Sequence, residues 1–292
     1  MSAEIPLVSI GLPVYNGAST LHVAIDSLLA QDYPNFELVI SDNDSGDQTA
    51  AICKEYQARD KRVRFFHVEM NQGLFWNFKH VIDLAEGEYF MFAAHDDFWQ
   101  PGFISALLPE LQTYPEAGVV MSAGKLVDED GILIKPIQLD QGDKSPNDLG
   151  YFSMMLRLLT LWGRSTKSHH LYFYGLYRRS LLQKAMAYFI DTAFADRMFI
   201  TLFTLVSRFR YVPQLLYYKT KPQKNILLRH PNENFTKAHQ SISRLFTTPF
   251  QLAAMIWRCP LVPFWRKLYI PVAMLGMTKI VITWILKNWQ NK

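Results

Sequence analysis

Residues 7–16 read LVSIGLPVYN, an apolar run that stops at a proline and turns at Asn16-Gly17. A short run of this kind predicts a buried β-strand followed by a turn. Apolar residues then recur at helical spacing, and the helix they predict ends at Asp32-Tyr33-Pro34: Leu21, Ala24, Ile25, Leu28 and Leu29. The chain therefore opens with a strand-helix unit.

The same unit is repeated further along the chain. Strands are predicted over 36–40, 63–68 and 89–94, with one helix before the third strand and another up to residue 84. This alternation predicts an α/β fold with a parallel sheet. Later in the chain we expect strands over 119–122, 125–127 and 172–177, a loop over 138–150, and helices over 152–161 and 192–206.

Polar side chains follow four of the predicted strands, where parallel sheets bind their ligands: Tyr15 and Asn16, the cluster 42–45, Asn71, and Asp96 with Asp97. The sequence lacks the glycine signatures of dinucleotide and P-loop sites, and the motifs of zincins and serine hydrolases. Carboxylates repel phosphates, so a phosphate-bearing ligand here needs a bridging cation. Hard oxygen ligands favour Mg²⁺ or Mn²⁺.

Each candidate also has a structural interpretation. Asp96-Asp97 would cap a helix that starts near Pro101, and Asn16 would cap the first helix. Asp42 would be a turn residue, and this is the better interpretation for Asp44 and Asp47. Tyr15 would pack against the sheet. Two adjacent acids directly after an apolar strand nevertheless favour metal binding at Asp96 and Asp97.

Three segments, in this order, resemble family 2 glycosyltransferases of the GT-A fold: 8–16 (VSIGLPVYN), 40–49 (ISDNDSGDQT) and 95–97 (HDD). Segments 71–77 and 174–179 support the resemblance. It implies a mixed, mostly parallel sheet flanked by helices, and inverting transfer of a sugar from a nucleoside diphosphate sugar to a hydroxyl acceptor. It places Pro13, Tyr15 and Asn16 beside the nucleotide and Asp42 on its base. Asn71 joins these substrate-binding candidates by its position.

The family often carries an acid at the position of Ala94, so the metal ligands are expected to be Asp96 and Asp97, with Asp96 also against substrate. Contact between this motif and the ribose is left open. Inverting transfer needs a general base, which the family carries in an acidic pair at the start of a downstream helix. Asp196 fits that position although Ala195 replaces the first acid, and Asp191 is the near rival. The alternative for Asp196 is an aspartate that stabilises a helix dipole.

Two further pairs are weaker candidates. His169 and His170 would approach the metal or the acceptor, although a histidine is more often a packing or surface residue. Arg178 and Arg179 would meet phosphate, with a solvated strand end as an equal alternative.

Charge divides the chain near residue 233. None of the 26 acidic residues follows Glu233, whereas eight of the 30 lysines and arginines and four of the seven tryptophans do. We expect a catalytic domain over 1–230 and a basic aromatic helical tail over 231–292. Residues 268–286 carry Lys279 as their one charge, and Lys279, Thr283 and Lys287 form a polar stripe. This favours a helix in a membrane interface over packing on protein, with a membrane span third.

Cys53 and Cys259 form neither a disulfide framework nor a zinc spacing, and the N-terminus has no signal-peptide pattern. We therefore expect a cytoplasmic enzyme of polysaccharide biosynthesis, peripheral on the inner face of the membrane. Its expected partners are the sugar donor, a saccharide or lipid-linked acceptor and further copies of itself in a homo-oligomer, but not nucleic acid. The competing functions are a non-catalytic sugar-nucleotide binder, suggested by Ala94 and Ala195, and a nucleotidyltransferase. The latter is disfavoured because residues 11–17 carry no basic side chain.

Overall fold

A computed structural model describes residues 5–128, 130–137, 169–190, 192, 194–221 and 242–290. Its strands are β1 Val8–Val14, β2 Phe36–Asp42, β3 Val63–His67, β4 Tyr89–Phe92, β5 Phe98–Trp99, β6 Ala117–Val127, β7 Leu133–Ile137, β8 Leu176–Arg178 and β9 Arg208–Thr220. Its α-helices are α1 Leu21–Leu29, α2 Thr49–Arg59, α3 Leu74–Leu84, α4 Phe103–Thr113, α5 Arg179–Met186, α6 Ala195–Val206, α7 Ile242–Arg258 and α8 Ile270–Gln290. Two 3₁₀ helices span His169–Tyr174 and Phe264–Tyr269.

The strands form one mixed sheet in the order β3-β2-β1-β4-β8-β6-β9-β5, with β7 paired to β6. The first four strands in this order are parallel neighbours, as the strand-helix repeats predict. Both faces of β1 and β2 are buried, which explains their nearly continuous apolar sequences. Parallel pairing sets the carboxyl ends of β1, β2, β3 and β4 along one edge.

The second half of the sheet combines both pairing directions. β8 is antiparallel to β4 and β6, while β9 runs parallel to β6 and antiparallel to β5. Because β9 pairs with β5, the end of β9 is brought beside the segment that follows β4. This return is what adds residues from the C-terminal half of the sheet to the strand-end loops.

Aromatic packing fixes α6 against the sheet. The ring of Phe199 lies edge-on to Phe173 at 5.9 Å, and Phe203 lies edge-on to Tyr177 at 5.2 Å. Edge-to-face pairs of buried rings add to the burial of their apolar area. α6 is therefore a rigid support for Asp196 in its first turn.

Several predicted elements differ in extent from the observed ones. The strands predicted over 119–122 and 125–127 are one strand, β6, because β9 pairs along its length. The segment 172–177 is not one strand: its first residues belong to a 3₁₀ helix, and a bond from the Gly175 N–H to the Tyr172 carbonyl (3.0 Å) turns the chain before β8. α6 begins at Ala195, since Phe194 has a left-handed φ of 61°. The loop predicted over 138–150 and the helix over 152–161 lie outside the described residues.

The C-terminal helices pack on the rest of the chain through a second hydrophobic cluster. Met198, Leu202 and Leu205 of α6 contact apolar side chains of α7 and α8, which include Leu252, Met255, Ile256, Ala273 and Met277. One face of the tail is therefore buried on α6. In the described part of the chain, no helix combines the length and hydropathy that a membrane span requires.

Candidate active site

The loops after β1 and β2 are joined by hydrogen bonds at Asn16. Its backbone N–H donates to the Ser45 hydroxyl (2.8 Å), and its side-chain oxygen accepts from the Gly46 N–H (2.9 Å). Asn16 has a left-handed φ of 51°, a conformation that asparagine tolerates better than most residues. It does not cap α1, whose N-cap residue is Thr20. Asn16 thus holds two strand-end loops together.

The loop after β3 is attached to the same group. The side-chain amide of Asn43 donates to the side-chain oxygen of Asn71 (2.9 Å), which also accepts from the Gly73 N–H (2.8 Å). The buried amide of Asn77 donates to the carbonyls of Val14 (3.3 Å) and Ser41 (3.0 Å). Asn71 is therefore tied into the strand-end loops, as its position in the sequence predicted.

His95 connects the loop after β4 to the loop after β1. Its Nδ1 lies 3.0 Å from the Thr20 hydroxyl. A Cβ added to Gly17 would stand 3.0 Å from the His95 ring, so the absence of a side chain at Gly17 permits this approach. All four loops predicted to carry polar residues consequently lie together at one edge of the sheet.

Asp42 is fully buried at the end of β2. One of its oxygens accepts from the Ser45 backbone N–H (3.2 Å) and hydroxyl, and the other lies 3.0 Å from Nδ1 of His67. The bonds to Ser45 are those of the turn interpretation, and His67 extends the group towards solvent. Pro13 is likewise buried within β1, whereas Tyr15 and Asn16 are half-buried.

Asp47 has the structural role that its sequence position favours. It accepts from the backbone N–H groups of Thr49 (2.9 Å) and Ala18 (3.1 Å). Burial raises the pKa of Asp47, but these bonds and one from the Thr49 hydroxyl outweigh burial, so the pKa lies below its ordinary value. Asp47 thereby fastens the start of α2 to the loop after β1.

The structure divides the pair Asp96-Asp97. Neither residue caps the following helix, since α4 begins at Phe103 with Gly102 as its N-cap, and the capping interpretation is wrong. Asp96 is half-buried, whereas Asp97 is 1 % exposed. Asp97 accepts from the hydroxyl of Tyr217 and from the Thr220 backbone N–H (2.9 Å), both of β9. Asp97 therefore binds β9 to the loop, and Asp96 is the carboxylate of the pair that reaches solvent.

Lys219 supplies a cation at this point. Its Nζ lies 3.6 Å from Oδ2 of Asp97 and 5.0 Å from the centre of the Tyr174 ring. Burial raises the pKa of Asp97 to about 6, an effect that Lys219 opposes and Asp96 reinforces. Lys219 therefore forms an ion pair with the buried Asp97, and Asp96 belongs to the same charged group.

The same electrostatics connect Asp196 to that group. Burial lowers the pKa of Lys219, but its neighbours outweigh burial and raise this pKa above its ordinary value: Asp97, Tyr174, Asp96 and Asp196. Burial raises the pKa of Tyr174, and the three carboxylates raise it further. Asp196, predicted as the base, thus shares one electrostatic neighbourhood with Asp96 and Asp97, although about a hundred residues separate them in sequence.

Asp196 is half-buried in the first turn of α6. The positive end of the helix dipole stabilises a carboxylate there, so the structural alternative is compatible with this placement. Its rival Asp191 lies outside the described residues.

The weaker arginine candidates serve the backbone instead. Arg178 donates to the carbonyls of Ala117 (3.0 Å) and Leu111, which lie at and beyond the end of α4. Arg179 donates to the Gly87 carbonyl. These bonds tie β8 and the start of α5 to the end of α4, the start of β6 and the loop before β4. His169 and His170 open a 3₁₀ helix, and their side chains lie outside what the structure describes.

Asp96 fits a metal that takes few protein ligands. Among the described residues, no group of three or more His, Cys, Asp or Glu side chains is arranged to hold a metal ion. Mg²⁺, however, binds through one or two carboxylates and completes its shell with waters and substrate phosphates. Asp96 is half-buried, whereas the neighbouring Asp97 already contacts Tyr217, Thr220 and Lys219. One available carboxylate of this kind matches that donor set.

Sequence reasoning missed the partners of Asp97. Tyr217 and Lys219 lie in β9, a 13-residue strand (RFRYVPQLLYYKT) without a recognisable motif. Asp97 and Tyr217 are 120 positions apart in the sequence. A buried carboxylate needs a partner, and this requirement was the one signal that could have prompted a search for a downstream cation.

The sheet and its strand-end loops define a GT-A glycosyltransferase fold. The structure is similar to S. aureus TarS 1–349 in complex with UDP-GlcNAc, with a TM-score of 0.67 and 21% identity over 93% of this chain and 72% of that one. It is also similar to the mannosyltransferase PcManGT from Pyrobaculum calidifontis in complex with GDP-Man and Mn²⁺, with a TM-score of 0.56 and 16% identity over 95% of this chain and 73% of that one. At these identities the likeness establishes the fold.

The sequence establishes the family. The model of glycosyl transferase family 2 matches residues 9–185, which is more than half of the chain, and the chain belongs to this family. An uncharacterised glycosyltransferase of Rickettsia typhi is 33% identical over 53% of this chain and 48% of its own length. Glycosyltransferase GlyG of Streptococcus pneumoniae is 31% identical over 36% of this chain and 35% of its own length. The chain thus spans less than half the length of these two relatives.

Proposed function

We propose that the protein transfers a sugar, with inversion, from a nucleoside diphosphate sugar to a hydroxyl group of an acceptor. The observation that carries this proposal is the meeting of four strand-end loops at one edge of the sheet, where Asp96 lies next to the contact of Lys219 with Asp97 (3.6 Å). A donor would lie along these loops, and Asp196, which shares the charge environment of Lys219, would activate an acceptor.

The donor would lie along the loops after β1, β2 and β3. We assign Pro13, Tyr15 and Asn16 to the border of the nucleotide, with Asn71 beside them. Asp42 would accept a hydrogen bond from the base through Oδ2, because the contact with His67 leaves this oxygen a second lone pair, whereas Oδ1 already accepts two bonds from Ser45. The bound UDP-GlcNAc and GDP-Man of the two structural neighbours support a sugar nucleotide as the donor class.

The diphosphate would lie against Asp96 with a Mg²⁺ or Mn²⁺ ion. Asp96 would hold the ion, with Asp97 as the second candidate ligand, although the contacts of Asp97 favour a supporting role. When bound, such an ion neutralises charge that develops on the departing diphosphate. Lys219 brings a further positive charge to the same group.

Asp196 would act as the general base. A carboxylate in the first turn of α6 would accept the proton of the acceptor hydroxyl as its oxygen attacks the anomeric carbon. Attack on the face opposite the leaving diphosphate inverts the configuration at that carbon.

The acceptor would be a saccharide or a lipid-linked saccharide, as in polysaccharide biosynthesis. A lipid-linked acceptor would place the enzyme on the inner face of the membrane as a peripheral protein. A homo-oligomer is compatible with this arrangement and is not required by it.

The test is release of nucleoside diphosphate from a panel of sugar nucleotides with Mn²⁺ and a set of saccharide acceptors. With the donor that turns over, Asp196→Asn should lower kcat about 10²–10⁴-fold, the usual contribution of a general base. Donor binding should be retained. Asp83→Asn, at an exposed position of α3, is the matched control and should leave kcat unchanged.

Unchanged activity of Asp196→Asn would remove Asp196 from the mechanism. Tight donor binding without turnover of any donor would instead favour the non-catalytic binder, which Ala94 and Ala195 suggest.

A further inference from the structure

The C-terminal helices have two different faces. One face is the apolar surface of α7 and α8 that packs on Met198, Leu202 and Leu205 of α6. Its residues are buried, so this face of the tail is accounted for by packing. The remaining question is what the opposite face meets.

The opposite face exposes large apolar side chains. Phe246, Phe250 and Trp257 of α7 are four and seven positions apart, which sets them in one stripe along the helix. Leu275 and Ile282 of α8 are seven positions apart and form a second stripe.

The 3₁₀ helix between α7 and α8 adds to this exposed apolar area. Phe264 is 74% exposed and Leu268 is 72% exposed. Among the described residues, half of the 16 large hydrophobic side chains that are exposed lie in this short part of the chain: Phe246, Phe250, Trp257, Phe264, Trp265, Leu268, Leu275 and Ile282. Concentrated exposure of this kind marks an interaction surface.

Basic side chains lie among these apolar ones. Lys267 donates from Nζ to the Trp257 carbonyl (2.7 Å) and stands 5.5 Å from the centre of its ring. Arg258 and Lys279 are exposed beside the two stripes. No acidic residue follows Glu233 in the sequence. We name this surface the basic aromatic face: Phe246, Phe250, Trp257, Arg258, Phe264, Lys267, Leu268, Leu275, Lys279 and Ile282.

We propose that the basic aromatic face docks on a lipid bilayer that carries anionic headgroups. Apolar and aromatic side chains would enter the boundary between headgroups and acyl chains, while the lysines and arginines meet the negative charge. A second copy of the chain is the less suitable occupant. It would bring two segments without any acidic residue against each other, and like charges across an interface are unfavourable.

The helices that carry the basic aromatic face also contact α6 and the segment before it. The hydroxyl of Thr192, a few residues before Asp196, donates to the side-chain oxygen of Gln251 in α7 (2.7 Å). An acceptor anchored in the same bilayer would therefore meet Asp196 at a fixed distance from the surface. This last step rests on the proposed function, whereas docking itself does not.

The test is co-sedimentation of the full chain with vesicles, without any sugar donor, so that its outcome is independent of the proposed reaction. The vesicles contain phosphatidylcholine alone or with about 30% phosphatidylglycerol. The protein should bind the anionic vesicles and bind neutral ones much more weakly. Phe250→Ser combined with Phe264→Ser should weaken binding at least about tenfold, because most of both rings is exposed.

Charge is tested separately. Arg258→Glu and Lys279→Glu should each weaken binding at least about fivefold. The matched controls lie in the N-terminal helices α1 and α2. Val23→Ser on α1 (60% exposed) and Lys54→Glu on α2 should bind vesicles as the parent does. Circular dichroism spectra check that all variants are folded.

Three outcomes would overturn the proposal. The first is the absence of binding to anionic vesicles. The second is equal binding to neutral and anionic vesicles, which would remove the role of charge. The third is a dimer in analytical ultracentrifugation that Phe250→Ser dissociates, which would assign the basic aromatic face to a second copy.

Discussion

Replacing Lys219 with methionine removes the cation beside Asp97 and keeps a side chain of similar length. Asp97 would then be a buried carboxylate held by the Tyr217 hydroxyl and the Thr220 N–H alone. A buried ion pair broken on one side leaves an uncompensated charge, and this is strongly destabilising. We therefore expect Lys219→Met to lower the free energy of unfolding.

The expected size follows from the 3.6 Å separation of Nζ and Oδ2. With an effective dielectric constant of about 20, two unit charges at this distance attract by about 4.6 kcal/mol. Lys219 is 24% exposed, and solvent screens part of this attraction. We expect a loss of about 3 kcal/mol, which lowers Tm by about 6–10 °C in a chain of this size.

The assay is urea unfolding of the parent, of Lys219→Met, of Asp97→Asn and of the double variant. Because the cost of Lys219→Met comes from the charge of Asp97, the double variant should be less destabilised than the sum of the single ones. The cost should also be larger at about pH 8 than at about pH 5, since Asp97, whose raised pKa is about 6, is mostly protonated at the lower pH.

Lys125→Met is the matched control. Lys125 stands 5.4 Å from the centre of the Tyr218 ring, much as Lys219 stands over Tyr174, and it pairs with no carboxylate among the described residues. Lys125→Met should lower the free energy of unfolding by less than about 1 kcal/mol. The pairing of Lys219 with Asp97 would be refuted if the variant with both Lys219→Met and Asp97→Asn lost as much free energy of unfolding as the two single variants together.

Two further predictions concern other carboxylates. Asp96→Asn should raise the Mn²⁺ concentration for half-maximal transfer at least about tenfold, because the ligand loses its charge; an unchanged metal requirement, measured by titration after EDTA treatment, would exclude Asp96 as the ligand. Glu37→Gln should cost about 2 kcal/mol at neutral pH, since Glu37 accepts from Ser9 (2.5 Å), from the Glu86 N–H (2.7 Å) and from Arg64 (2.5 Å). Burial raises the pKa of Glu37, but these bonds lower it below its ordinary value of 4.5. The stabilisation by ionised Glu37 is therefore present above that value and lost as the pH falls through the folded-state pKa. The difference in free energy of unfolding between the parent and Glu37→Gln should consequently narrow on acidification. A difference that stays constant with pH in urea unfolding would contradict the role of ionised Glu37.

The N-terminal half of the fold could be predicted because its information is local. The apolar run 8–14 and the alternation that follows it specify parallel strands, and the carboxyl ends of such strands must share an edge. Asn16, Asn71 and Asp96 were placed at that edge by position alone, and the structure joins their loops there.

The rest depended on contacts between distant residues. The antiparallel placement of β8 between β4 and β6 has no local signal, and neither does the return of β9 to β5. Segment 172–177 has the composition of a strand, but the bonds to the Tyr172 carbonyl turn it. Lys219 could not be assigned because its function lies in a carboxylate more than a hundred positions earlier.

The pairing of β9 with the loop after β4 has a consequence for the order of folding. The bonds that hold Asp97 join residues 120 and 123 positions apart, and closing so long a loop costs entropy before the contact is made. During synthesis, β1 to β4 emerge well before residues 217–220 and can pair with one another from their local sequence. We therefore expect a nascent chain to join the loops after β1 to β4 before β9 reaches Asp97, so the contacts of Asp97 form late in folding.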